Sequence, residues 1–205
     1  MSTAGTKGVP RREREQQILD AAAAEFAHRG YAGTSLAMIA ATAGISKPLI
    51  VTYFGSKDGL YVACAERAGN NLCGRIELAL DSDGGTARLA ADTLRAFIEA
   101  LTPRPHDWNV IFDRTIPRDG VAYDAARQIR RRLAQQAARG VAAAGEFAGG
   151  TDANDLSILT DVWMSTVGAV VNWWLRHPET SAGEMIERCQ RLVATITGNS
   201  AQGGA

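Results

Sequence analysis

Apolar positions recur at helical spacing along most of the 205-residue chain. Between Arg14 and Arg29, Ile18, Leu19, Ala22, Ala23 and Phe26 fall on one face, with Glu15, Asp20, Glu25 and His28 on the other. That predicts an amphipathic helix, stopped by Gly30. Leu36, Ile39, Ala40 and Ala43 repeat the pattern in a shorter helix. Ser35 is its N-cap, and Gly44, able to enter left-handed backbone, is its stop. Ile45 turns into the core, and Ser46 can cap a third helix through Lys47, Pro48, Leu49, Ile50, Val51, Thr52 and Tyr53. Pro48 falls in the first turn, where a missing N–H costs nothing. Phe54 is a core anchor and Gly55 a turn, and Ser56 caps a fourth helix running from Lys57 to about Leu80.

Five more helices are expected beyond the turn cluster at Asp81: Ala87 to Leu101, Asp107 to Arg114, Val121 to Ala144, Asp152 to Leu175 and Ala182 to Thr197. Gly145 to Gly150 reads as a loop. The fold class is therefore all-α, with about nine helices. The Asp152–Leu175 segment is apolar on more than one face through Leu156, Leu159, Val162, Trp163, Val167, Val170, Val171, Trp173 and Trp174. Such a helix is buried on several sides. Burial against both its own core and a second subunit meets that demand, and Gly168 and Ala169 permit close helix approach. The expected dimer contact is Trp163, Val167, Val170, Val171 and Trp174, with Leu192 and Ile196 from the last helix.

Charge and composition narrow the chemistry. The 22 Lys and Arg balance 22 Asp and Glu, so no global basic field points to nucleic acid, and a local footprint must serve. Arg11, Arg12 and Arg14, with Lys7 just before them, sit at a helix start where cations oppose the macrodipole. They read either as a solvated helix start or as a basic arm tracking phosphates. Arg127, Arg130, Arg131 and Arg132 read as a solvated helix face. The cysteines, Cys64, Cys73 and Cys189, form no C-x-x-C pair and suit a reducing cytoplasm. No secretory signal opens the chain, and Val162 to Leu175 is shorter than the roughly 20 residues a membrane span needs. No phosphate loop, nucleophile elbow or metal-ligand spacing occurs, and His28, His106 and His177 have no carboxylate partner at a useful spacing. An enzyme, a bound metal, a cofactor and a membrane partner are accordingly not expected.

Two short helices joined through Ala40, Gly44 and Ile50 have the grammar of a helix-turn-helix, whose second helix enters the DNA major groove. The run from Ile18 to Tyr61, ILDAAAAEFAHRGYAGTSLAMIAATAGISKPLIVTYFGSKDGLY, resembles the DNA-binding domain of the tetracycline-repressor (TetR) family. That resemblance implies a three-helix DNA-binding head, a connecting fourth helix and a helical domain that binds an effector and dimerises. It implies DNA contacts at Thr34 and Ser35, at Ser46, Lys47, Pro48, Leu49 and Thr52, and at Tyr53 and Lys57. Across Leu49 to Tyr53 the family often reads Thr-Leu-Tyr-Tyr-His. Here Leu-Ile-Val-Thr-Tyr puts methyl groups where aromatics are usual.

The expected organisation is an N-terminal arm at 1–10, a DNA-binding domain at 11–56, a ligand-binding and dimerisation domain at 57–198 and a tail at 199–205. The expected function is a ligand-responsive regulator, a repressor binding a palindromic operator as a homodimer. An activator of the same fold and a helical adaptor with a vestigial head are the alternatives. Following the family, the effector site lies among the fourth to eighth helices. Trp108, Phe112, Tyr123 and Trp163 are its candidate lining, suited to an apolar or aromatic small molecule.

Overall fold

The computed structural model describes residues 9–81, 85–147 and 152–198. Most of the arm, the tail, the centre of the turn after Asp81 and the end of the Gly145–Gly150 segment lie outside the described residues. Among those described, every regular element is a helix: α1 (Arg11–Gly33), α2 (Leu36–Ala43), α3 (Lys47–Phe54), α4 (Lys57–Leu80), α5 (Thr86–Leu101), α6 (His106–Ile111), α7 (Val121–Phe147), α8 (Ala153–Leu175) and α9 (Ala182–Ile196). The all-α expectation is met.

Two compact units divide the chain. Residues 1–69 and 106–130 make one, and 70–105 with 131–205 make the other. α4 and α7 each contribute residues to both.

In the first unit, Ile18, Ala22 and Phe26 of α1, Ile39 of α2, Ile50 of α3 and Leu60, Tyr61 and Ala65 of α4 form the core. Trp108, Val110 and Ile111 of α6 close it, because α6 packs along α1. Phe26 meets Tyr61 edge-on, with ring centroids 4.9 Å apart, and the Tyr61 hydroxyl donates to the Val110 carbonyl. α1 begins three residues earlier than the apolar pattern indicated and is broken, rather than ended, at Gly30 (φ 69°, ψ 169°). Residues past Gly30 add one more turn before Thr34.

The second unit packs α5 against α9. Its core holds Leu72 and Ile76 of α4, Leu94, Phe97, Ile98 and Leu101 of α5, Leu133 of α7, Val167 and Val171 of α8, and Cys189 and Val193 of α9. The corner between α8 and α9 is pinned by polar groups. Trp174 Nε1 donates to the Thr180 carbonyl at 2.9 Å, and Ser181 and Glu184 form a reciprocal capping box. α7 continues to Phe147, so the expected loop begins later than Gly145.

Candidate nucleic-acid interface and ligand cavity

α2 and α3 turn through 106°. That falls within the range of a helix-turn-helix pair. The Ser35 hydroxyl accepts from Met38 N–H at 3.3 Å and starts α2. Gly44 ends it in the left-handed region (φ 64°), and the Gly44 and Ile45 N–H groups return to the Ala41 and Ala40 carbonyls. Ile50 is fully buried and seats α3 on the small-residue surface of α2. What α3 then turns outward is Lys47, Pro48, Val51 and Thr52, with Ser46 ahead of them; all five are exposed. Leu49 and Tyr53 are half-buried at the edges of that face.

Several sequence-derived assignments change here. Ser46 occupies the N-cap of α3, but its hydroxyl makes no capping bond. An N-cap oxygen serves the second or third N–H of the helix. The second belongs to Pro48, which has none, and Leu49 N–H bonds the Ser46 carbonyl at 3.1 Å. The Ser46 hydroxyl therefore stands outward beside Lys47. Thr34 is 3% exposed, and its hydroxyl lies 2.8 Å from the Gly30 carbonyl and 3.1 Å from that of Glu25. It closes the α1 terminus, so its side chain is not available to a phosphate.

The three arginines are not an arm, because they form the first turn of α1. Arg14 is buried, with Nη1 2.6 Å from Gln17 Oε1, while Gln17 Nε2 reaches the Ala43 carbonyl at the same distance. That bridge ties α1 to the end of α2. Arg11 lies with its guanidinium 5.5 Å from the Tyr53 ring centre, and Arg12 is exposed. Arg11 and Arg12 thus remain on the outside of the first turn of α1, Arg11 against the end of α3.

Lys57 opens α4 half-buried, its Nζ 4.1 Å from the centre of the Tyr31 ring. Burial lowers its pKa, opposed by the nearby Asp58 and Asp113 carboxylates. Tyr31 donates to Asp58, and its own N–H donates to Asp113 Oδ2 at 2.5 Å.

Residues 18–64 match the family model described as "Bacterial regulatory proteins, tetR family". The transcriptional activator FasR of Mycolicibacterium smegmatis is 32% identical over 105 residues, 51% of this chain and 48% of FasR. The chain therefore spans about half the length of that relative. A TetR-like transcriptional regulator from Rhodococcus superposes with a TM-score of 0.67 at 26% identity, covering 93% of this chain and 99% of its own. FadR of Bacillus subtilis, solved in complex with stearoyl-CoA, shares the fold alone, with a TM-score of 0.67 at 15% identity over 87% of this chain and 96% of that one.

Residues 18–64 belong to the tetR family of bacterial regulatory proteins.

The second unit contains a cavity of about 330 Å³ among α4, α5, α7, α8 and α9. Leu89, Leu94 and Phe97 of α5, Leu133 of α7, and Trp163 and Leu159 of α8 are prominent in its wall. Of the four aromatics expected at an effector site, Trp163 alone is on the wall of this cavity. The rings of Trp108 and Phe112 meet at 36°, centroids 4.2 Å apart, in the first unit, where Tyr123 lies beside Arg130. They serve that unit's packing because α6 and the start of α7 fold onto α1 and α4. Gln136, which apolar periodicity passed over, is on the cavity wall. Its signal was a polar residue at a helical spacing otherwise filled by Leu133 and Ala137.

The expected dimer contact also divides. Val167, Val170, Val171 and Trp174 are all at most 8% exposed and belong to the chain's own core. Leu192 and Ile196 remain outward, as do Ile158, Leu159 and Val162, and Trp163 is half-buried. The outward apolar face of α8 thus lies nearer its N-terminal end than expected. Among the described residues no three His, Cys, Asp or Glu side chains cluster as a metal site.

All three cysteines are buried and free. Burial pushes the Cys64 thiol up to about 12 and that of Cys189 to about 11, and raises Cys73 as well. Thiolate chemistry is suppressed at each.

Proposed function

We propose that this chain is a ligand-responsive transcriptional regulator that binds a palindromic operator as a homodimer and acts as a repressor. The observation that carries the reading is the exposed stripe Ser46, Lys47, Pro48, Val51 and Thr52 on a helix held at 106° to its partner. Helices presented this way enter the major groove with their N-terminal residues toward the bases. Lys47 supplies phosphate attraction, and the Val51 and Thr52 methyls suit the thymine methyl group. Ser35 and Ser46 offer hydroxyls, Arg11 stands behind Tyr53, and Lys57 opens α4 where helix N–H groups favour an anion.

A two-fold operator calls for a symmetric protein contact. Ile158, Leu159, Val162, Leu192 and Ile196 form the apolar face proposed for it. The second unit's cavity is the proposed effector site, within the volume range of small-molecule pockets. A ligand there would shift DNA affinity only as far as it prefers one conformation. An activator is the second reading, favoured by the similarity to the transcriptional activator FasR.

The test is selection of bound sequences from random duplex DNA by the purified full chain. The expected result is one inverted repeat, bound in a salt-dependent manner. Lys47→Ala should weaken binding by about 1–2 kcal/mol and lower the salt slope by about one. Recovery of no repeat would overturn the proposal, and an unchanged slope would take Lys47 off the phosphates.

A further inference from the structure

Resting on the cavity as effector site, we infer that its ligand is a neutral, largely apolar molecule carrying a hydrogen-bond donor, a hydroxyl or N–H, that is read by Gln136. Three observations converge. None of the described residues lining the cavity is charged. An anion enclosed there would lose hydration with no countercharge on the wall.

The second observation is how the wall's polar groups are already used. Thr86 donates to the Ala144 carbonyl, Thr93 to Leu89, Thr166 to Val162 and Thr197 to Val193. Each hydroxyl proton is engaged, so these side chains have only acceptor capacity left. Among the described lining residues, the remaining side-chain N–H outside Gln136 is the indole of Trp163, a half-buried ring on the same helix as the exposed Leu159 and Val162.

The third is Gln136 itself, 8% exposed on α7. Its Nε2 donates to the Cys73 carbonyl at 2.8 Å and to Glu77 Oε2 at 2.7 Å. Glu77 is also paired with Arg139 at 2.5 Å. The opposite amide orientation would set an oxygen against both a carbonyl and a carboxylate, so the side chain has one orientation. Its Oε1 is buried with no hydrogen-bond partner among the described residues. A buried acceptor left unmade is costly, and a ligand donor that meets it recovers that cost. A site with a fixed acceptor discriminates against an analogue lacking the donor.

The experiment uses the full chain and three probes of similar size: 1-decanol, methyl nonyl ether and decanoate, titrated calorimetrically. The alcohol and ether have the same number of heavy atoms, and only the alcohol donates. The expected result is that 1-decanol binds about five- to tenfold more tightly than the ether, with decanoate weaker than the alcohol. Gln136→Leu should abolish the preference for alcohol over ether while both still bind. Gln136→Met, checked by thermal unfolding, serves if the leucine variant does not fold. Equal binding of alcohol and ether to the native chain, or a preference that survives in the variants, would overturn the role of Gln136 and leave the cavity reading standing. Binding of none of the three would overturn both.

Discussion

Gly30 shows how one residue governs the geometry of the head. Its backbone, at φ 69° and ψ 169°, lies in a region that side-chain-bearing residues scarcely enter. A Cβ there would also come 2.5 Å from Thr115 Oγ1, which receives the Ala32 N–H at 3.1 Å. Gly30→Ala is expected to destabilise the protein by roughly 1–3 kcal/mol from backbone strain. Equilibrium denaturation would read this as a lower midpoint with the same slope. A midpoint equal to that of the parent chain would show that the kink relaxes without cost. The glycine was legible in the sequence as punctuation, because it interrupts an apolar period. Its partner was not, since Thr115 is 85 positions away and nothing local announces the contact. Thr34 failed for the related reason that a hydroxyl at a helix start can face solvent or close the preceding helix, and sequence alone does not choose.

At the scale of elements, the α1–α2 junction is strapped to the start of α4 and to the segment following α6. Tyr31 joins both straps, through its hydroxyl to Asp58 and its N–H to Asp113. Burial, followed by the Asp58 hydrogen bond and charge, pushes the phenol up from 10.0 to about 12. The folded state thus prefers the neutral phenol, whereas an unfolded tyrosine ionises near its ordinary value. The resulting stabilisation is complete below pH 10 and disappears as pH rises toward 12. Stability measured across that window should fall less steeply in Tyr31→Phe than in the parent chain, whatever the offset at neutral pH. Parallel curves would assign the alkaline loss to other groups. The helices themselves were legible because caps, glycines and a 3.6-residue period are local signals: Ser35, Gly44 and Gly55 all stand at helix ends. Ser46 departed from expectation through its neighbour Pro48, again a local cause. By contrast, assigning Trp108 and Phe112 to a pocket required knowing which unit α6 joins, and an aromatic residue carries no such label.

For the whole molecule, the same difficulty decides which apolar residues face a second subunit. α8 is apolar around most of its circumference, and periodicity cannot say which side meets the chain's own core. Val167, Val171 and Trp174 do, so charging them would disrupt the fold and reveal little about assembly. Ile158 is the more discriminating position, 61% exposed and absent from the cavity wall. An aspartate there should alter the stability of an isolated chain by no more than about 0.5 kcal/mol. Within a two-fold interface, however, the substitution occurs twice and removes two apolar contacts while bringing like charges toward one another. Ile158→Asp is therefore expected to shift the protein toward monomer in sedimentation equilibrium and to weaken binding to the full inverted repeat. Binding to a single half-site should be spared, because α3 and its supporting core are untouched. If both Ile158→Asp and Ile196→Asp remained dimeric and bound the repeat normally, the subunit contact would have to lie on a surface other than the outward faces of α8 and α9.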